Sequence, residues 1–145
     1  MISMELLRDA RCVLSPVINL TPMIPAKGFV PDCRFYLKAD CLQKTGAFKL
    51  RGAYYKLSTL TDEEKARGVI ACSAGNHAQG VAYAAQHYGV KATIVMPTTT
   101  PLIKVERTKA LGADVVLAGN VYDEAYEHAL KLAEENSYTF IHPFN

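Results

Sequence analysis

The fold is decided by residues 69–89, which read VIACSAGNHAQGVAYAAQHYG. The first four residues form a short apolar run, which is typical of a buried strand, and residues 73–76 are the small and polar residues of a turn. Residues 77–88 have the composition of a helix, and Gly89 stands where a glycine commonly ends one. A strand, a turn and a helix in this order predict the first part of a βαβ unit.

The same order of segments continues towards the end of the chain. Strands are predicted at 92–96, 115–117 and 138–141. Between them, one helix begins at Thr100-Pro101 and ends at Gly112, and a second helix spans 122–135. The alternation predicts an α/β fold with an open, doubly wound parallel sheet. Because the last strand leads directly to Asn145, where such a fold normally turns into another helix, we expect the fold to be incomplete.

The residues before 69 follow a less regular pattern. We expect an irregular start, because prolines are frequent there: Pro16, Pro22, Pro25 and Pro31. A strand is predicted at 34–38, followed by a helix whose apolar face is formed by Leu50, Ala53, Tyr54 and Leu57. Thr61 and Glu64 form a capping box that opens a short helix, and Gly68 ends it. A change in composition near residue 67 suggests a domain boundary.

The composition excludes several classes of protein. The chain has 145 residues, half of them hydrophobic, and its 16 basic and 14 acidic side chains give a net charge of +2. Disordered proteins are more polar or more highly charged, and nucleic-acid-binding domains carry a stronger, clustered positive charge. The sequence contains no apolar stretch as long as a membrane span or a signal peptide. We therefore expect a globular protein that binds neither nucleic acid nor a membrane.

Cysteine and glycine spacing excludes further kinds of site. The four cysteines lie far apart with no C-x-x-C pair, so we expect free thiols in a reducing compartment and predict a cytoplasmic protein. The four histidines do not cluster with the cysteines at ligand spacing, and no metal site is predicted. The nine glycines form neither G-x-G nor a P-loop, which disfavours nicotinamide-dependent oxidoreductases and P-loop nucleotidases.

Lys49 is the first candidate for chemistry. Thr45-Gly46 can form a turn, and Lys49 then falls in the first turn of the following helix. There the positive end of the helix dipole disfavours the charged ammonium, and an amine with a lowered pKa is what Schiff-base chemistry with a carbonyl requires. The alternative is an ordinary solvated lysine on an amphipathic helix.

The second candidate is the turn between the strand at 69–72 and its helix. Backbone N–H groups at a helix start point into the crevice beyond the strand and form a seat for a carboxylate or phosphate. Ser73 and Asn76 add side-chain donors. The alternative is a plain strand-to-helix turn with Asn76 as its cap.

Together, Thr45–Ala53 and Ser73–Gly80 resemble the two defining motifs of fold-type II pyridoxal-phosphate enzymes, which share the tryptophan synthase β-like fold. Within that family the chain is similar to the threonine ammonia-lyase (threonine dehydratase) and serine racemase group. The likeness extends, in the family's order, over Thr21-Pro22, 92–97, 100–105, 111–113 and His142-Pro143-Phe144.

The resemblance implies a role for each motif residue. Lys49 would carry pyridoxal phosphate as a Schiff base and remove the α-proton of the substrate. Phe48 would pack near the cofactor, and Asn76 would hydrogen-bond the oxygen of its ring. The substrate carboxylate would be held by Ser73, Ala74, Gly75, Asn76 and His77. Ala74 stands where racemases carry a serine that protonates the opposite face of the substrate, so elimination is favoured over racemisation.

The implied activity is the pyridoxal-phosphate-dependent β-elimination of threonine or serine to a 2-oxo acid and ammonia. Residues 1–66 would open the large cofactor domain and 67–145 would form the small α/β domain. The family's phosphate cradle and the residue paired with the pyridine nitrogen would lie beyond position 145. The expected partners are a small amino-acid substrate and either further copies in a homo-oligomer or a complementary C-terminal chain. The alternative is a truncated or split fragment that acts only as a non-catalytic interaction module.

Overall fold

The computed structural model describes residues 2–28 and 31–143. The helices are α1 (Met4–Leu14), α2 (Lys49–Ser58), α3 (Asp62–Arg67), α4 (Asn76–Tyr88), α5 (Leu102–Lys109) and α6 (Tyr122–Asn136). The strands are β1 (Met23–Pro25), β2 (Tyr36–Lys38), β3 (Val69–Cys72), β4 (Ala92–Met96), β5 (Asp114–Leu117) and β6 (Thr139–Phe140). A short 3₁₀ helix spans Asp40–Leu42. Phe144, the last residue of the motif His142-Pro143-Phe144, and Asn145 lie outside the described residues.

A parallel sheet of four strands in the order β5-β4-β3-β6 forms the centre of the structure. Successive side chains alternate between its faces. Ile70, Cys72 and Val95 pack against α6, and residues of the opposite face, such as Ala71 and Ile94, pack against α4 and α5. Helices therefore cover both faces, and the predicted doubly wound α/β fold is confirmed.

The strand order reverses between β3 and β6. The chain moves outward from β3 through β4 to β5, and β6 then returns to the other side of β3. At such a reversal the connections leave in opposite directions, and a crevice opens at the carboxyl ends of the two strands. The segments that border this crevice are 73–75, after β3, and 141–143, after β6.

Helices α2 and α4 pack closely against each other. The predicted apolar face of α2 is buried, and Leu50 and Leu57 are completely inaccessible to solvent. A Cβ atom added at Gly80 of α4 would lie 3.1 Å from the Lys49 carbonyl oxygen and 3.2 Å from the Leu50 nitrogen. The missing side chain at Gly80 thus allows α4 to touch the backbone at the start of α2.

The expected irregular start is wrong for residues 4–14. They form α1, because the Ser3 hydroxyl accepts a hydrogen bond from the Leu6 N–H and the prolines begin only at Pro16. Leu14, at the end of α1, joins the hydrophobic core. Further along, Met23–Pro25 pairs with β2 as an antiparallel two-stranded ribbon, and β2 itself begins at Tyr36, two residues later than predicted.

The predicted elements from residue 61 onward are confirmed with small shifts at their ends. The capping box of α3 is present, and Gly68, Gly89 and Gly112 follow their helices with positive φ. Helix α4 starts at Asn76, one residue early, and α5 starts at Leu102 with Pro101 as its cap. Strand β6 covers only the middle of the predicted segment.

The predicted domain boundary near residue 67 runs through a shared core. One hydrophobic cluster contains Leu14 and Leu57 from one side of the boundary together with Val69 and Ile94 from the other. The division into 1–66 and 67–145 stays a prediction. Across the described ranges, no helix has the length and hydrophobicity that crossing a membrane requires.

Replacing Gly80 by alanine should separate α2 from α4. We expect Gly80→Ala to lower the free energy of unfolding by about 1–3 kcal/mol, because the added methyl meets backbone atoms that have no rotamer to move to. The matched control is Gly52→Ala in α2, which has open space around its Cβ position and should raise the free energy of unfolding by up to about 1 kcal/mol. Urea unfolding measures both values, and equal changes in the two variants would contradict the close contact.

Candidate functional site

A cleft of about 460 Å³ opens at the crevice between the ends of β3 and β6. It is lined by Phe48, Lys49, Cys72, Ser73, Asn76, His77, Tyr122 and Pro143. A second cleft of about 270 Å³ shares Phe48, Lys49, His77 and Pro143, and it extends along α2 to Lys56 and His142. The structure therefore brings five of the predicted site residues to one cavity, although they come from two distant segments of the sequence.

The turn before α2 places Lys49 at this cleft. Gly46 adopts a φ of +72°, and its N–H donates to the Gln43 carbonyl at 2.7 Å. Lys49 is then the first residue of α2, as predicted, and it is half-buried. Its Nζ donates to the carbonyl oxygen of Pro143 at 2.7 Å. Lys49 is thus not the fully solvated lysine of the alternative interpretation, while its activation by the helix dipole stays a prediction.

The turn after β3 forms the facing wall of the cleft. The Ser73 hydroxyl accepts a hydrogen bond from the Gly75 N–H at 3.2 Å, which closes the turn. Gly75 is the cap of α4 and Asn76 its first residue, so the alternative with Asn76 as cap is wrong. Asn76 is exposed at the mouth of the cleft. The N–H groups of the first turn of α4 lack partners within the helix and present partial positive charge at this point.

His77 is the most deeply buried polar residue of the cleft, with 6% of its surface exposed. Its Nε2 lies 2.9 Å from the carbonyl oxygen of Ile141. Because a carbonyl oxygen only accepts, Nε2 carries the proton and donates. Burial lowers the pKa of His77 below its ordinary value of 6.5, and the charges of Lys49 and His142 lower it further, against an opposing effect of the hydrogen bond. The ring is therefore neutral at neutral pH.

Three cleft residues were not predicted from the sequence. Cys72 ends β3 and Tyr122 begins α6, and the Cys72 thiol donates to the Tyr122 carbonyl oxygen at 4.0 Å. Burial raises the pKa of the Cys72 thiol to about 11. Pro143 contributes its carbonyl group to Lys49. Their position in the predicted fold could have indicated them, because each lies at or beyond the carboxyl end of a strand of the sheet, where ligands of doubly wound folds bind.

A polar network holds the segment that leads into Lys49. The Asp40 carboxylate accepts hydrogen bonds from Arg51 Nε at 2.8 Å, from Arg51 Nη2 at 3.0 Å and from the Thr21 hydroxyl. The Arg51 guanidinium lowers the pKa of Asp40 from 3.8 to about 2, with a smaller contribution from Thr21. Buried Gln43 adds a second tie, since its side-chain amide pairs with the backbone N–H and carbonyl of Asn19.

Comparison with known proteins assigns this arrangement to a family. Residues 14–145 match the family described as pyridoxal-phosphate dependent enzymes. The L-threonine ammonia-lyase of Thermotoga maritima is 50% identical over 147 residues, which cover 100% of this chain and 37% of that protein.

Solved structures agree with the sequence comparison. The processed form of threonine deaminase isoform 2 from Solanum lycopersicum superposes with a TM-score of 0.85 at 45% identity, covering 99% of this chain and 41% of that one. Maize serine racemase superposes with a TM-score of 0.87 at 34% identity, covering 95% of this chain and 43% of that one. The chain thus spans about two fifths of the length of the relatives that it matches.

Acid should destabilise the fold through His77. Because the pKa of His77 is lowered in the folded state, the unfolded chain binds a proton that the folded chain does not, and stability falls as the pH drops below 6.5. We expect His77→Gln to remove this part of the pH dependence in urea unfolding between pH 7.5 and about 5. The matched control, His87→Gln on the exposed side of the same helix, should retain it. Identical slopes in wild type and His77→Gln would show the interpretation to be wrong.

Loss of the Asp40 carboxylate should destabilise the fold at neutral pH. Asp40→Asn leaves Arg51 without its charged partner, and we expect the free energy of unfolding at pH 7 to fall by about 1–3 kcal/mol. The contribution of Asp40 is fully present above pH 3.8 and is lost as the pH falls through about 2, so the variant should also lose stability less steeply in that range. Glu106→Gln, which breaks an exposed ion pair with Lys109, is the control and should change little. An unchanged free energy of unfolding for Asp40→Asn would contradict the proposal that this network holds the segment before Lys49.

Proposed function

The chain belongs to the pyridoxal-phosphate dependent enzyme family, and on that premise we propose that it supplies the lysine and the substrate-carboxylate loop of a threonine or serine ammonia-lyase. The proposed reaction removes the α-proton and the β-hydroxyl of the amino acid and yields a 2-oxo acid and ammonia. One observation carries the proposal: Lys49 lines the same cleft as Ser73, Asn76 and His77, which come from a separate part of the sequence, at the reversal of strand order. The similarity to the L-threonine ammonia-lyase of Thermotoga maritima and to the threonine deaminase of Solanum lycopersicum supports this substrate class.

The residues of the cleft fit pyridoxal phosphate. The volume of the cleft lies within the range of small-molecule sites. Lys49 offers a primary amine that condenses with an aldehyde, the Phe48 ring lies at the rim, and the Asn76 amide offers a donor at the mouth. We assign Lys49, Phe48 and Asn76 to holding the cofactor. When bound, pyridoxal phosphate supplies an electron sink for the charge left by the α-proton.

The turn after β3 is assigned to the substrate. The backbone N–H groups of Asn76 and His77, in the first turn of α4, suit a carboxylate, because they lack partners within the helix and lie at the positive end of its dipole. The Ser73 and Gly75 N–H groups are already bonded, to the Val95 carbonyl and to the Ser73 hydroxyl. A carboxylate held there would direct the α C–H bond towards Lys49, whose amine takes the proton. Ala74 has no hydroxyl to return a proton from the opposite face, so we propose elimination rather than racemisation.

Assembly with further protein is part of the proposal. Exposed apolar side chains occur on α1 (Leu7), on the segment after it (Leu20, 97% exposed) and on the β1/β2 ribbon, where Ile24 pairs with Leu37. A groove of about 550 Å³ runs between α1 and the segment at Leu20. Exposed apolar area of this kind marks a contact surface. We propose that a complementary C-terminal chain or further copies in a homo-oligomer cover it, and that 1–66 and 67–145 belong to the large and small domains of the assembly.

The cysteines support a cytoplasmic location, which we also propose. All four are free, and three of them, Cys12, Cys33 and Cys41, are exposed. Exposed unpaired thiols are typical of a reducing compartment.

Reductive trapping tests the proposed role of Lys49. The chain is mixed with pyridoxal phosphate, reduced with borohydride and mapped by peptide mass spectrometry. We expect a visible absorption band and preferential labelling of Lys49, both of which Lys49→Ala abolishes. Lys56→Ala, which changes the other lysine that lines the adjoining cleft, is the control and should leave both in place.

Two outcomes bear on the rival interpretations. A band that forms only after a complementary C-terminal chain is added would support a split enzyme. Labelling spread evenly over exposed lysines, with or without that chain, would overturn the assignment of Lys49 and favour the non-catalytic interaction fragment.

A further inference from the structure

Residues 141–143 receive hydrogen bonds from both site motifs. The Ile141 carbonyl accepts from His77 Nε2 at 2.9 Å, and the Pro143 carbonyl accepts from Lys49 Nζ at 2.7 Å. His77 belongs to α4 and Lys49 to α2, and both lie far from this segment in the sequence. We propose that residues 141–143 act as a clasp that fixes the Lys49 amine relative to the turn 73–77, and that His77 is the positioning residue that fastens the turn to the clasp. The inference rests on the proposed function.

One end of the clasp, Ile141, is held by the sheet. Ile141 is 1% exposed, and its N–H donates to the Ile70 carbonyl of β3 at 2.8 Å. Two residues earlier, the Thr139 N–H donates to the Gly68 carbonyl at 3.0 Å. The Thr139 bond belongs to the parallel pairing of β3 with β6, and the Ile141 bond continues that pairing beyond its last paired residue, Phe140. The direction of the Ile141 carbonyl is therefore set by the central sheet and not by a loose loop.

The environment of His77 suits a structural tie. Its ring is buried, and the proton on Nε2 is engaged in the hydrogen bond to the Ile141 carbonyl. A buried carbonyl that loses its donor costs free energy, so the pair is strongly maintained. With Nε2 engaged, His77 contributes to a carboxylate site through its backbone N–H, while its side chain holds the turn in place. This differs from a role in which the imidazole itself binds the substrate.

The contact with Pro143 restricts Lys49 in a corresponding way. A lysine side chain carries its amine on a flexible four-carbon stem, so the amine samples many positions unless a contact holds it. Pro143 lies two residues from Ile141, so the Lys49 amine and the turn 73–77 are both bonded to the same short segment. A displacement of about 1 Å between reacting groups costs on the order of a hundredfold in rate, which is why the spacing matters.

The test compares two His77 variants by labelling kinetics on the intact chain. Each variant is treated with pyridoxal phosphate and borohydride, and the rates of labelling at Lys49 and Lys56 are measured by mass spectrometry. We expect His77→Leu to slow labelling of Lys49 by at least about tenfold with Lys56 unchanged. His77→Gln retains an N–H donor near the position of Nε2 and should stay within about threefold of wild type at Lys49.

The outcomes separate this inference from the proposed function. Equal slowing at both lysines, normal labelling of Lys49 in His77→Leu, or failure of His77→Gln to rescue it would overturn the clasp. If wild type does not label Lys49 selectively, with or without a complementary C-terminal chain, the proposed function fails first, whatever the variants do.

A second measurement covers the case in which His77→Leu does not fold. In wild type with ¹⁵N-labelled histidine, the NMR spectrum at pH 7 should show His77 as the neutral tautomer with its proton on Nε2. The Nε2 signal should move when Lys49 is trapped. A proton on Nδ1, or an Nε2 signal that is insensitive to trapping, would contradict the clasp.

Discussion

The missing side chain at Gly80 is the constraint on which the site depends. Because Gly80 has no side chain, α4 lies directly on the backbone at Lys49 and Leu50. A methyl group at Gly80 would lie about 3.1 Å from the Lys49 carbonyl oxygen. Lys49 begins α2 and the turn 73–77 leads into α4, so the packing of the two helices sets the spacing of the two motifs. The buried residues of α2 join this pair to the sheet in one hydrophobic cluster. The packing of α2 against α4 thus determines the cleft, and the polar contacts act within the space that this packing sets.

The secondary structure from residue 61 onward could be predicted because its signals are local. A capping box, glycines that follow helices with positive φ, and buried apolar strands each act over a few residues. Helix α1 was not predicted, because the prolines that follow it indicate an irregular start, although Ser3 provides an ordinary cap. The ribbon of β1 and β2 was only half predicted, since its three-residue strands are exposed throughout and lack the alternation of buried and exposed residues that marks a strand.

The site divides in the same way between local and global information. The side chains of Lys49, Ser73, Asn76 and His77 were named from motifs, and the structure places all four at one cleft. The carbonyl groups that hold Lys49 and His77 have no side-chain signature, because any residue offers a carbonyl. They come into reach only because β6 lies beside β3, and sequence order alone does not determine which strands are neighbours.

The four cysteines differ in a way that is useful for chemistry on this protein. Cys72 is sealed in the cleft wall with its thiol pKa raised to about 11, so little of the reactive thiolate is present there at neutral pH. Cys12, Cys33 and Cys41 face solvent. Maleimide reagents therefore attach fluorophores or spin labels to the outside of the molecule and spare the cleft. A label at Cys41 is attached directly after Asp40 in the 3₁₀ helix, next to the ion pair of Asp40 with Arg51.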